Sequence, residues 1–229
     1  MSDLLIIIPA YNEEGSIQNV VQNIIRNYPQ YDYVIINDGS RDQTSQICHE
    51  NQYNIVDLPV NLGLAGAFQT GLRYAYIHGY KKAVQFDADG QHLPEFIEVL
   101  ENKLDSGFDL VIGSRFVTEK RPNSFRMLGN ILISSAIKLT TGKTINDPTS
   151  GMRMFSEDLI KEFALNINYG PEPDTVSYLI RNGVKVAEAQ VRMEERQAGE
   201  SYLTISRSIK YMTHMFMSIL LIQNFRKRG

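Results

Sequence analysis

The sequence has a single cysteine among its 229 residues, no repeats, and no apolar run long enough to cross a bilayer. The lone Cys48 cannot form an internal disulfide, so a reducing compartment fits best. It falls in a predicted helix and reads as a packing residue. The most apolar stretch, Met215–Ile222, has eight residues, where a spanning helix needs roughly 20. The opening MSDLLIIIPAYNEE lacks a basic flank, and its apolar run is too short for a signal peptide, so it is expected to be a first strand. Low-complexity tracts are also missing. At 43% hydrophobic and 21% charged residues, the composition is that of one globular α/β domain.

A large excess of either charge is absent as well. A net charge of −3 argues neither for nor against nucleic acid, but its distribution is uneven. Residues 181–229 carry nine Lys/Arg against four Asp/Glu, and residues 111–145 carry six Lys/Arg against one Glu. Two basic stretches on an otherwise acidic chain suggest local anion contacts, or solvated helix faces, rather than a polyanion-binding surface. No nucleic-acid partner is expected.

What is present is alternation. Leu4–Ile8 is a continuous apolar run, as in a parallel strand buried on both faces. Ile17, Val20, Val21, Ile24 and Ile25 follow at helical spacing. Strands are predicted at Tyr33–Ile36, Asn54–Leu58, Ala83–Phe86 and Leu110–Ile112. Helices are predicted over about 42–51, over 64–78 and over Leu93–Leu104. The βαβ succession implies a mostly parallel, Rossmann-like sheet flanked by helices, with ligands outside the carboxyl ends of its strands. After about residue 150 the alternation is less regular.

Polar clusters fall at those ends: Asn12-Glu13-Glu14, Asp38-Gly39-Ser40, Asp87 with Asp89, and Ser114-Arg115. One acidic turn is explained by turn or cap chemistry. Four at the same end of one sheet indicate a site. Asp87 and Asp89, at i and i+2 on a turn leaving a strand, can converge on one hard cation, Mg²⁺ or Mn²⁺, whose shell substrate phosphates complete. Gly90 permits the turn, and Gln91 offers a further oxygen.

Pro9-Ala10-Tyr11-Asn12-Glu13-Glu14, Asn37-Asp38-Gly39-Ser40, Asn61-Leu62-Gly63, Asp87-Ala88-Asp89-Gly90-Gln91-His92 and Gly113-Ser114-Arg115 resemble, in this order, the motifs of family 2 glycosyltransferases with a GT-A fold. Within that family the chain looks most like the polyprenyl-phosphate glycosyltransferases, over roughly residues 3–201. The resemblance implies that Pro9, Tyr11, Glu13 and Asp38, with Asp87, hold the nucleotide. It implies that Asp87, Asp89 and Gln91 serve the metal and diphosphate, with Asp89 and Arg115 the catalytic pair. It assigns Arg115, Arg126 and Arg196 to the acceptor phosphate and donor diphosphate, a task suited to the planar guanidinium fork. For Arg126 a solvated helix face competes. Arg196, Gly199 and Ser201 suggest a loop closing over the donor. Asp147-Pro148-Thr149-Ser150-Gly151-Met152-Arg153 resembles the subgroup's Asp-x-Thr-Ser-Gly-Phe-Arg segment, where Ser150 and Gly151 are expected to shape the sugar or acceptor pocket.

One departure bears on the acceptor. Transfer to a sugar hydroxyl needs a general base, and near its expected place the chain reads Glu172-Pro173-Asp174, with altered spacing. A lipid phosphate is already ionised and needs none. The expected activity is therefore inverting, metal-dependent transfer from a nucleotide sugar to a polyprenyl phosphate, as in cell-wall polysaccharide precursor synthesis. UDP-N-acetylglucosamine or UDP-glucose is favoured over GDP-mannose as donor. Transfer to a saccharide hydroxyl and an inactive scaffold in a membrane complex are the alternatives. The catalytic domain is expected over residues 1–201 and a basic amphipathic helix over 202–229. That helix docks on the membrane surface at its cytoplasmic face, on the domain, on a second copy, or on a small membrane-protein partner.

Overall fold

The computed structural model describes residues 2–122, 125–166, 170–194 and 205–223, without the side chains of 125–126 and 205–209. Strand β1 (Leu4–Ala10) leads to helix α1 (Ile17–Asn27), β2 (Asp32–Asn37), α2 (Thr44–Glu50), β3 (Ile55–Asp57) and α3 (Gly63–Ile77). Then come β4 (Lys82–Gln85), α4 (Ile97–Asp105), β5 (Leu110–Ser114) and α5 (Phe125–Thr141). A single 3-10 turn, Pro94–Phe96, opens α4, where Pro94 suits a first helical turn because it has no N–H to satisfy.

The later chain supplies what periodicity did not assign. Strand β6 (Arg153–Ser156), helices α6 (Glu157–Leu165) and α7 (Pro173–Arg181), and β7 (Val186–Gln190) precede α8 (Ile205–Met217) and a π-helical turn, Ser218–Ile222. The seven strands run in the order β3-β2-β1-β4-β6-β5-β7. Only β6 is antiparallel to its neighbours, β4 and β5.

This order locates the site. The chain leaves β1 toward β2 on one side and returns to pair β4 on the other. A crevice therefore opens outside the carboxyl ends of β1 and β4, where the winding reverses.

Successive β1 residues face opposite sides of the sheet. Leu5 and Ile7 pack with Phe68, Leu72 and Ile137 on one side, and Leu4, Ile6 and Ile8 with Val21, Ile24 and Leu100 on the other. Gly71 brings α3 close against β1, since a Cβ there would lie 2.2 Å from Ile7 Cγ2. The C-terminal segment packs on the domain: Met215 and Ile219 are 6% and 0% exposed and belong to the first cluster. A Cβ at Gly129 of α5 would fall 2.8 Å from Met212 Cγ of α8.

Candidate active site

At the crevice the ends of β1, β2 and β4 and the start of α3 border a cleft of about 460 Å³. Pro9, Tyr11, Glu13, Asp38, Asp87 and Asp89 all line it, so the structure brings together every residue expected to hold the nucleotide. Asn61, Gly63, Leu64 and Ala67 line it as well.

The loops after β1 and β2 hold each other. Asn12 takes a left-handed conformation (φ 56°), which asparagine tolerates better than most residues. There its N–H donates to Ser40 Oγ at 3.0 Å, and its Oδ1 accepts the Arg41 amide at 2.8 Å. Gly39 (φ +65°) must be glycine, because a Cβ would meet the Asn61 amide nitrogen at 2.8 Å. This close approach lets Asp38 Oδ1 accept the Leu62 N–H at 2.7 Å. Burial pushes the Asp38 carboxyl above its ordinary pKa, while amide hydrogen bonds from Leu62 and Gly63 pull it back.

The carboxylate pair sits on a stiffened turn. The Asp87 N–H donates to His92 Nδ1 at 2.8 Å. An accepting Nδ1 places the ring proton on Nε2, which faces Asp87 Oδ2 at 3.5 Å. Phe86 meets the His92 ring edge-on at 5.4 Å. Asp89 Oδ1 accepts the Gln91 N–H at 3.0 Å across Gly90, whose φ is +81°. The Gln91 side chain reaches the Glu194 carbonyl at 3.4 Å and does not border the cleft with the two carboxylates.

Asp89 is 4% exposed and the Asp87 side chain 34%. Among the described residues no three His, Cys, Asp or Glu side chains form a closed metal cage. Two hard oxygen donors at the wall of an open cleft fit a divalent cation that takes its remaining ligands from a diphosphate and water. Gly151 makes room for this arrangement: a Cβ there would sit 2.6 Å from Asp87 Oδ2.

Arg115 leaves the end of β5 and is gripped by Asp147. Its Nε and Nη2 donate to the two carboxylate oxygens at 2.7 and 2.9 Å, and its backbone N–H adds a third bond at 3.2 Å. The Asp147 side chain is 0% exposed, whereas that of Arg115 remains 34% exposed. Asn130 Nδ2 donates to Asp147 at 3.0 Å, and the Asn146 and Asp147 amides donate to Glu188 of β7, each at 2.8 Å. Arg121 anchors beside them, donating to the Asn146 carbonyl at 2.6 Å.

Other expected residues fall elsewhere. Ser150 is buried, with its hydroxyl donating to the Gly113 carbonyl at 2.5 Å; it fastens the 147–151 loop to β5 and does not line the cleft. Arg126 lies in the first turn of α5, one turn before Asn130, but its side chain is outside the described residues. Arg196, Gly199 and Ser201 are also outside them. Pro173 opens α7 and Glu172 precedes it as N-cap. Burial, then Asp174, raises the Glu172 pKa. Asp174 accepts Ser218 Oγ at 2.7 Å and Gln223 Nε2 at 3.0 Å from the C-terminal segment.

His92, Asp147, Glu188, Arg121 and Arg153 were not given roles from the sequence. Arg153 carried a readable signal: an arginine inside the apolar run Met152–Phe155 needs buried partners.

Comparison with known proteins identifies the family of the chain. A family model described as Glycosyl transferase family 2 matches residues 5–163. The UDP-N-acetylglucosamine–dolichyl-phosphate N-acetylglucosaminyltransferase of Methanococcus voltae is 36% identical over 187 residues, covering 70% of this chain and 73% of that protein. The polyprenol monophosphomannose synthase of Mycolicibacterium smegmatis is 28% identical over 213 residues, covering 87% and 80%. Among solved structures, glucosyl-3-phosphoglycerate synthase from Mycobacterium tuberculosis, in complex with Mn²⁺, UDP and phosphoglyceric acid, superposes with a TM-score of 0.68. It is 19% identical, and the match covers 98% of this chain and 79% of that one. This last likeness is one of fold. Among the described residues no helix is long and apolar enough to cross a membrane.

Proposed function

The chain belongs to glycosyl transferase family 2, and from that premise we propose that it transfers a sugar, with inversion, from a nucleoside diphosphate to a polyprenyl phosphate. That it is a glycosyltransferase follows from the family; donor, acceptor and metal are our reading. The observation that carries the acceptor is the loop of residues 147–151. At one end Asp147 grips Arg115, and at the other Gly151 abuts Asp87. One short loop thus holds an anion-binding arginine beside the carboxylates that would face the donor diphosphate.

Each side chain has a task it can perform. Glu13 and Asp38 accept hydrogen bonds from ribose hydroxyls or base N–H groups, since a carboxylate only accepts. Asp87 and Asp89 would hold Mg²⁺ or Mn²⁺. When bound, that ion supplies Lewis-acid stabilisation of the departing diphosphate. Arg115, already oriented by two bonds to Asp147, presents its exposed part to an acceptor phosphate and keeps an ionised oxygen aimed at the anomeric carbon.

No general base is required for that oxygen, and the local geometry agrees. Asp174, the expected base region, accepts two hydrogen bonds from the C-terminal segment. The relatives named above supply the donor leaning. The 36% identical protein is named for UDP-N-acetylglucosamine, which supports that donor, with UDP-glucose and GDP-mannose behind it. We place the enzyme peripherally at the cytoplasmic face of the membrane, where its donor and lipid acceptor meet.

The test is a panel of radiolabelled nucleotide sugars incubated with Mg²⁺ or Mn²⁺, with and without polyprenyl phosphate. Label should move into the organic phase only with the lipid and a divalent ion. Label appearing in a saccharide acceptor instead would overturn the assignment.

A further inference from the structure

Ser218 and Gln223 lie five residues apart yet donate to the same oxygen, Asp174 Oδ2. In an α-helix, side chains at that spacing point about 140° apart. The π-helical turn Ser218–Ile222 solves this, because i→i+5 hydrogen bonding brings the two positions over one another. The Gln223 N–H indeed caps onto the Ser218 carbonyl. A single π turn inside a helix is rare and marks a local constraint; here the constraint is a carboxylate in the first turn of α7.

A second contact joins α7 to the active-site loop. Arg153 is buried, and its guanidinium donates to three carbonyls: Pro148 at 2.8 Å, Ser150 at 3.0 Å and Glu172 at 3.4 Å. The first two belong to the 147–151 loop. The third is the N-cap carbonyl of α7, two residues before Asp174. A buried guanidinium left without these partners would be costly, so the three carbonyls must stay where Arg153 can reach them.

We propose that Asp174 and Arg153 are positioning residues, a relay through which the seating of the C-terminal helix fixes the 147–151 loop and with it Arg115 and Asp87. Asp174 registers the helix through Ser218 and Gln223. Arg153 carries that position across α7 to the loop, whose ends hold the two halves of the site. Neither residue touches a substrate in this scheme. The kinetic part of the test rests on the proposed phosphate acceptor; the structural part does not.

The experiment removes only the helix's two donors, in a Ser218→Ala/Gln223→Ala variant that leaves Asp174, Arg153 and every cleft residue intact. Hydrogen exchange on the substrate-free protein should show amides of residues 147–153 exchanging about tenfold faster, with β1 and β2 unchanged. In transfer assays with polyprenyl phosphate, kcat should fall about tenfold while the KM for the nucleotide sugar stays within about twofold. A merely structural role would instead lower protection throughout the sheet, or reduce the amount of active enzyme without altering either constant. Asp174→Asn keeps one accepting oxygen and should recover part of the loop's protection, whereas Asp174→Ala should not. Unchanged exchange at residues 147–153 in the double variant, or loss spread evenly over the fold, overturns the relay. If the wild type transfers nothing to polyprenyl phosphate, the acceptor assignment fails, and the exchange data still decide the relay.

Discussion

The Arg115–Asp147 pair makes an asymmetric prediction. Truncating either partner breaks the same two side-chain hydrogen bonds, and Asp147→Ala also takes the acceptor from the Arg115 amide and from Asn130, but the charged groups left behind differ in burial. Arg115→Ala strands a carboxylate that is 0% exposed, while Asp147→Ala strands a guanidinium that is 34% exposed. The freed arginine can turn into water; the freed carboxylate cannot. Removing one partner of a buried pair costs about 3–5 kcal/mol. Asp147 keeps its bond from Asn130, so the lower end, about 3 kcal/mol, applies to Arg115→Ala. Asp147→Ala should cost less, about 2 kcal/mol, mainly from the Arg115 amide left without its acceptor, because Asn130 retains Thr149 Oγ1 at 3.1 Å. The double variant should be no worse than Arg115→Ala alone, a coupling of at least about 1 kcal/mol in the cycle. At this chain length each kcal/mol moves Tm by about 2–4 °C, so thermal melts at fixed pH and salt resolve the ranking. Transfer should follow a different order: both single variants lose the oriented arginine and should lose activity alike. A less stable Asp147→Ala than Arg115→Ala, or additive losses, would refute the view that burial of Asp147 is what anchors Arg115.

The other predictions concern the donor side. Asp89→Ala should abolish transfer while the protein remains folded, and wild-type activity in that variant or in excess chelator would sink the metal role. Gly151→Ala should weaken Mn²⁺ binding about tenfold by pushing on the Asp87 carboxylate, with little change in melting; calorimetric titration with and without UDP reads it. Because burial raises the Asp38 pKa, the protonated form is the one the fold favours. Its contribution is present below the unfolded value and lost as pH rises through the folded one. Asp38→Asn should therefore melt at or above wild type at pH 7, with the difference shrinking toward pH 4, yet bind nucleotide at least about tenfold more weakly. Equal nucleotide affinity would remove Asp38 from the binding set. Asp57 runs the other way: hydrogen bonds from Asn37, His49 and Ser45 outweigh its burial and lower its pKa. The stability it contributes is present above the unfolded value and lost as pH falls through the folded one, so Asp57→Ala should lose its deficit in acid, which melts across pH 3–7 would show.

The half of the site that we assign to the donor was legible in the sequence because its determinants are local. A strand such as Leu4–Ala10, buried on both faces, reads as an unbroken apolar run, and the polar residues that follow it must emerge at the sheet's edge. Asp87, Asp89 and Asp38 could be placed on one rim from the βαβ alternation alone. The half around Arg115, which we assign to the acceptor, was less legible because its determinants are pairings across the chain. Arg115 finds Asp147 32 residues away, and Asp147 finds Glu188 41 residues on. No periodicity announces such partners. The antiparallel β6 escaped for a similar reason, since a four-residue strand carrying a buried arginine breaks the apolar pattern. The C-terminal stripe was correctly read as amphipathic helix, but amphipathicity cannot name the surface that covers it. Met215 and Ile219 show that one face is covered by the domain itself, while Met217, Leu221 and Ile222 stay exposed.

Under the proposed function, these long-range pairings would let one loop serve two phosphates. A site that brings a diphosphate and a second anion together must hold positive and negative groups side by side without letting them collapse onto each other. Asp87 and Arg115 are candidates for such a collapse, since the 147–151 loop approaches both. Asp147 prevents it by occupying the guanidinium from the buried side, and the His92 ring holds the Asp87 turn from the other. On the proposed reading, a third, buried carboxylate thus keeps Arg115 apart from the pair that would hold the cation. A neutral residue at 147 would leave Arg115 to turn into water, and a second anion would lose the partner that Asp147 holds in place.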